Sequence, residues 1–210
     1  MGRREHISYI LSKGVIMNNL AKQLVLGSVV AFMSFGLGGC GGAAVSPEHQ
    51  KQVDEHAQML TQVGMFAQGS GINTLNYTLG FPIPVNSVVF YEDINSRQLA
   101  FSYNDKRYYL RNNPRYSKTN MDQMLDRYFG TKKVDLSKFT PEEQKNIKAN
   151  KAVVGMSKEA VILAIGYPPA HVTPDWKSMD DWKYWKFQRG YAQDTIIYHF
   201  KDNKLASIED

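Results

Sequence analysis

The sequence predicts an α+β fold: an N-terminal helix, a β-rich middle, and a C-terminal region of two helices followed by three antiparallel strands. Three observations predict it. Helix-start residues, Thr140-Pro141-Glu142-Glu143 and Ser157-Lys158-Glu159, stand ahead of short segments carrying apolar side chains. Aromatic and β-branched residues concentrate in 75–111 and 182–209, and the pairs Asn104-Asp105 and Asp202-Asn203 break those stretches as turns do. The chain holds one cysteine, so packing and not a disulfide framework must stabilise it.

Ser46-Pro47 opens the first helix, with Val53, Ala57, Leu60 and Val63 or Gly64 at helical spacings that carry the pattern to about Phe66. "AQGSGINTLN", 67–76, reads as a linker, and Ser70 between Gly69 and Gly71 is a linker serine without a nucleophile elbow around it. Pro82 and Pro84 lead into the strand "SVVFYE", and "RQLAFSY" and "KRYYLRN" make a hairpin about Asn104-Asp105. Thr119 and Asp122 frame a short helix that Gly130 is placed to end. Thr140 can cap the next, with Pro141 at its first position and Glu143 bonding back, to about Ala149. Ser157 caps "KEAVILAI", which Gly166-Tyr167-Pro168-Pro169 stops. "WKYWKFQ", "TIIYHFK" and "KLASIE" form an antiparallel meander, with Arg189-Gly190 and Asp202-Asn203 between them.

The apolar run Leu24–Phe35 is shorter than the roughly 20 residues of a bilayer span and suits the core of an export signal. Lys22 precedes it, with Arg3, Arg4 and Lys13 upstream; Met17 offers a second, more ordinary start. Leu37-Gly38-Gly39-Cys40 resembles a bacterial lipobox, in which the thiol is acylated and cleavage leaves it N-terminal. A buried thiol or an intermolecular disulfide would leave the preceding signal unexplained. Acyl chains contribute about 0.8 kcal/mol per buried methylene, so a lipoprotein's chains anchor it in effect permanently. Gly41 stands where an aspartate would retain a lipoprotein in the inner membrane, and that resemblance implies the periplasmic face of the outer membrane. Residues 1–39 are then the signal peptide and 40–74 the lipidated N-terminus, helix and linker.

The net charge of +5 is uneven. Residues 41–96 carry one basic and five acidic side chains, 97–151 thirteen and six, and 152–210 seven and eight. An exported chain does not meet nucleic acid, but a basic segment on a membrane-tethered protein can meet anionic head groups, with Lys106, Arg107, Arg111 and Arg115 as the expected contacts. Catalysis finds no residues: His49, His56, His171 and His199 lack metal-ligand spacing, His49 and His56 read as surface groups of one helix, and Asp180-Asp181 reads as a turn. No catalytic residue, metal or cofactor is expected. In "WKYW" the strand period puts Trp182 and Tyr184 on one face and Trp185 on the other. A sheet with helices on one side has an open face, so Trp182, Tyr184 and Trp185 are the expected partner-binding residues.

"VVGMSKEAVILAIGYPPAHVTPDW", "WKYW" and "YHFKDNKLASI" follow one another in an order that resembles the SmpA/OmlA family, the BamE-like small lipoproteins of the outer membrane. Gly155, Ser157, Val161, Gly166, Pro168, Trp182, Tyr184, Phe200 and Ile208 fill its pattern of glycine, capping residue, amphipathic helix, Gly-x-Pro, aromatic strand and final hairpin. The resemblance covers residues 139–209. It implies two helices packed on a three-stranded antiparallel sheet as a domain over 138–210, and a non-enzymatic scaffold or accessory role in envelope or outer-membrane protein assembly with an envelope protein partner. The stretch before it lies outside the resemblance; within the β-rich basic region 75–137, residues 75–111 weakly resemble an SH3-like barrel. A second reading stays open: an envelope ligand binder whose basic middle recognises anionic lipid or cell-wall polymer.

Overall fold

The computed structural model describes residues 45–75, 78–186 and 194–210. Cys40, the signal segment and the Arg189-Gly190 turn lie outside the described residues.

Helix α1, Pro47–Asp54, begins as the sequence suggests: the Ser46 hydroxyl accepts from the His49 amide and Pro47 sits in the first turn. It stops well short of Phe66. His56 takes a left-handed φ of 48°, and the chain turns into strand β1, Gln58–Thr61. Met59, Leu60 and Thr61 are all buried there, which explains the misreading, because a short apolar run has no periodicity that separates buried strand from helix. His56 is therefore outside the helix, and His49 is buried within it.

The expected linker contains strands. β2 is Met65–Ala67 and β3 is Gly71–Asn73, with Gly69 turning between them at φ 64°. β4, Phe81–Ile83, pairs with β2. β5 (Val88–Asn95), β6 (Gln98–Tyr103) and β7 (Lys106–Arg111) form the expected β-rich meander. Asn104 and Asp105 both have left-handed φ, 49° and 58°, as a tight hairpin turn between right-twisted strands requires. α2 is Pro114–Ser117 and α3 is Met121–Tyr128. The cap of α3 is Asn120, reciprocated by Gln123, and not Thr119; Gly130 belongs to strand β8, Phe129–Gly130. α4 (Pro141–Lys148) has the Thr140–Glu143 capping box, and α5 (Lys158–Ile165) is capped by Ser157. β9 (Asp181–Lys186), β10 (Asp194–Lys201) and β11 (Lys204–Glu209) close the chain.

These strands make a six-stranded mixed sheet in the order β3-β7-β6-β5-β1-β8, a three-stranded sheet β11-β10-β9, and the β2-β4 pair. Only β3 and β7 run parallel among the described pairs. The expected architecture of two helices on a three-stranded sheet is thus overturned. The meander exists, but the largest sheet is built by the middle of the chain and takes its outer strands from 58–61, 71–73 and 129–130. With a parallel strand on one side and β1 and β8 on the other, that sheet is not an SH3-like barrel either.

Helix α5 shows why. A helix lying on one sheet keeps a polar stripe, whereas Lys158 and Ala160–Ile165 are all buried. On one side the Gly64 amide donates to the Leu163 carbonyl at 2.9 Å, and a Cβ at Gly64 would collide with the Ala164 carbonyl. On another side the Tyr184 hydroxyl donates to the Gly166 carbonyl at 2.8 Å. α5 is a core helix enclosed by the β1–β2 segment and the meander, and the buried apolar residues of both form one continuous cluster.

Candidate functional site: a basic cleft at the end of the large sheet

The site starts from a turn and a strand end. Between β5 and β6 the Asn95 side chain accepts from the Arg97 amide at 3.0 Å, an Asx turn that presents Ser96 and Arg97. Arg111 closes β7, paired with Gln98 on β6 and Asn73 on β3. Its Nε donates to the Gln98 side-chain oxygen at 3.2 Å, which orients the guanidinium.

Asn112 then holds the following loop. It is 6 % exposed; its oxygen accepts from the Ser117 hydroxyl at 2.7 Å and its amide donates to the Thr119 carbonyl at 2.9 Å. The Asn112 backbone amide also reaches the Arg97 carbonyl at 2.8 Å. Every side-chain hydrogen-bonding group of this residue serves to tie residues 112–120 to the sheet end, so α2 and the start of α3 are set opposite the Arg97 turn. α2 terminates at Lys118, whose φ of 58° is left-handed.

The result is an open cleft of about 1010 Å³. Arg97, Arg111 and Lys118 supply its charge, and Asn73, Asn113 and Asn120, with Ser96, Gln98 and Thr119, supply amides and hydroxyls. Neither a carboxylate nor an aromatic ring lines it. Among the described residues no acidic side chain pairs with any of the three cations. Converging, uncompensated positive charge with neutral hydrogen-bonding groups between is the chemistry of an anion site.

Beside it the rings of Tyr116, His171 and Trp185 gather, with His171 4.8 Å from each of the others. Burial, then the charge of Lys118, pushes the His171 pKa down and holds the ring neutral; the Tyr116 backbone pulls the other way without hydrogen-bond geometry.

The residues expected to act are redistributed. Trp182 and Tyr184 do share a face, but it is the inner one: both are 0 % exposed, and the Trp182 indole donates to the Met179 carbonyl. They are core and offer no docking surface. Trp185, on the opposite face, is half-buried under His171 and Tyr116. Of the four expected lipid contacts only Arg111 lines the cleft. Lys106 and Arg107 lie at the other end of β7, where Arg107 is paired with Glu92 at 2.9 Å and Lys106 sits near the Gly69 carbonyl. Arg115 lies over the Tyr116 ring. Arg97 and Lys118 went unnoticed, although the run from Lys106 to Met121 holds five cations and no acid, with Asn112-Asn113 inside it.

His49 and His199 have structural partners. His49 Nδ1 lies 2.6 Å from Asp122 and Nε2 3.3 Å from Asp126. His199 is half-buried between Asp181 and Glu209, whose hydrogen bonds raise its pKa. No group of three or more potential metal ligands occurs among the described residues. No protein-family model, curated protein or solved structure matches the chain.

Proposed function

We propose that this is a lipid-anchored protein of the outer membrane that binds, without converting it, a hydroxyl-rich anionic ligand: the phosphate- or carboxylate-bearing part of a cell-wall polymer. One observation carries the reading, the approach of Arg97, Arg111 and Lys118 to a polar cleft that contains no acid. The export signal and lipobox at Cys40 support the location. Concavity favours a ligand that enters the protein over a flat bilayer, because a membrane surface would leave most of a 1010 Å³ cleft unfilled. The scaffold role implied by the family resemblance loses its main physical support, since Trp182 and Tyr184 have no outward face.

Calorimetric titration of the purified chain with a uronic-acid or phosphorylated oligosaccharide, beside its neutral counterpart, tests this. Arg97→Gln and Lys118→Gln should each weaken binding about tenfold, or about 1.4 kcal/mol, and added salt should weaken it further. Equal binding of the neutral sugar would refute the proposal. Capture of phosphatidylglycerol vesicles with no oligosaccharide binding would transfer the basic groups to the membrane.

A further inference from the structure

We propose that a second, smaller cavity, beside α1, is a binding site for a primary ammonium group. It lies where α1 meets β1, β5, α3 and β8, is an open pocket of about 210 Å³, and has walls of two kinds. Met59, Leu125, Phe129 and Tyr91 are apolar or aromatic, the last two rings meeting edge to face at 5.4 Å. Gln52 and His49 are polar, and Glu48 and Asp126 are acidic.

Two wall residues carry a buried polar atom with no hydrogen-bond partner: the Tyr91 hydroxyl and the Gln52 side-chain oxygen. Tyr91 is 0 % exposed. Buried polar groups are almost always satisfied, and two orphans lining one cavity call for a shared partner. Burial, and after it the charge of Asp126, pushes the Tyr91 pKa far up, so the group stays a neutral phenol with lone pairs to accept.

The sign of the partner follows from the donors and acceptors. Gln52 Oε1 can only accept, the Tyr91 oxygen can accept, and the carboxylates of Glu48 and Asp126 outnumber the one imidazole in the wall, His49, whose Nε2 lies 3.3 Å from Asp126. The occupant therefore donates hydrogen bonds and is positive. Its other half must suit hydrocarbon: aliphatic and aromatic walls do not ligate a metal, and no cluster of three or more metal-binding side chains occurs among the described residues. An alkylammonium fits both halves. Three N–H donors meet Gln52, Tyr91 and Asp126, the stem lies against Met59 and Leu125, and the two rings add cation–π attraction. Lysine side chains and aminoethyl lipid head groups both present this group. The site is independent of the basic cleft, so either can fail without the other.

Propylammonium titrated into the purified full chain and followed by amide NMR shifts tests the site, with propan-1-ol as the uncharged control. Saturable shifts around Gln52, Tyr91 and Asp126 are expected for the amine and none for the alcohol. Tyr91→Phe, which removes one oxygen, should weaken binding at least tenfold while leaving the ligand-free melting temperature unchanged or higher. Asp126→Asn, on an exposed side chain, should weaken it similarly. Absence of saturation, equal binding of propan-1-ol, or unchanged affinity in both variants would overturn the proposal. Parallel titrations with glycerophosphoethanolamine and Nα-acetyl-lysinamide separate the two sources, and binding of neither would also overturn it.

Discussion

The Glu143 carboxylate, 6 % exposed, reaches residues on three segments. It accepts from the Thr140 amide at 3.1 Å, from the Ser157 amide at 2.8 Å and from the Lys204 ammonium at 3.3 Å. Burial raises its pKa, but the Ser157 and Thr140 amides and Lys204 outweigh that and hold it down at about 2. Because the folded value is depressed below the ordinary 4.5, this stabilisation is complete above about pH 4.5 and is lost as pH falls towards 2. Melting temperatures measured from pH 6 to 2 should decline across that window. Glu143→Ala should flatten the decline and cost about 1.5–3 kcal/mol at neutral pH, as loss of hydrogen bonds to a charged group does. The capping half of this arrangement was legible, since Thr140 and Glu143 are three residues apart; the bonds to Ser157 and Lys204, 14 and 61 residues away, were not. The same limit governs the tryptophans: the period of two paired Trp182 with Tyr184, but which face turns to α5 is a tertiary fact. Trp182→Ala should cost about 3–5 kcal/mol as a core truncation, and half-buried Trp185→Ala roughly 1–2 kcal/mol. Thermal unfolding of the two variants would read the difference.

Elements were legible where their ends carry chemistry and illegible where burial decides. Asn104-Asp105, Thr140-Pro141 and Ser157 placed a hairpin and two helices correctly. β1 and β3 were missed because Gln58–Thr61 and Gly71–Asn73 are short, and only pairing with β5, β8 and β7 makes them strands. α5 was found but expected as an amphipathic helix packed on the three-stranded sheet, although "KEAVILAI" has hydrophobic residues on every side after its first turn. Its end is more constrained than a left-handed cap: Gly166 adopts φ 81° with ψ −178°, a region essentially restricted to glycine. Gly166→Val should therefore destabilise the protein by about 1–3 kcal/mol. A urea midpoint equal to that of the parent, with unchanged slope, would mean that the turn accepts a side chain.

At the scale of the molecule, the described residues form one compact unit, and its largest sheet was the least legible feature because its outer strands come from segments that read as helix, linker and helix end. The cleft was half legible. The surplus of positive charge over 97–151 pointed to the region, but charge counting cannot tell Arg107, paired with Glu92, from Lys118, which meets no acid among the described residues, and only the fold brings Arg97 to the cleft that Arg111 and Lys118 line. If Cys40 is acylated as proposed, Cys40→Ser should leave melting of the folded part unchanged yet release the protein from membranes after a high-salt wash, and continued sedimentation would disprove acylation. The recognition claim is tested most directly by mapping amide NMR shifts of the isotope-labelled chain on titration with an anionic oligosaccharide. Saturable shifts centred on Ser96–Gln98, Arg111–Asn113 and Lys118–Asn120, and abolished by Arg97→Gln together with Lys118→Gln, are the predicted result. Shifts centred elsewhere, or unchanged by the double substitution, would contradict it.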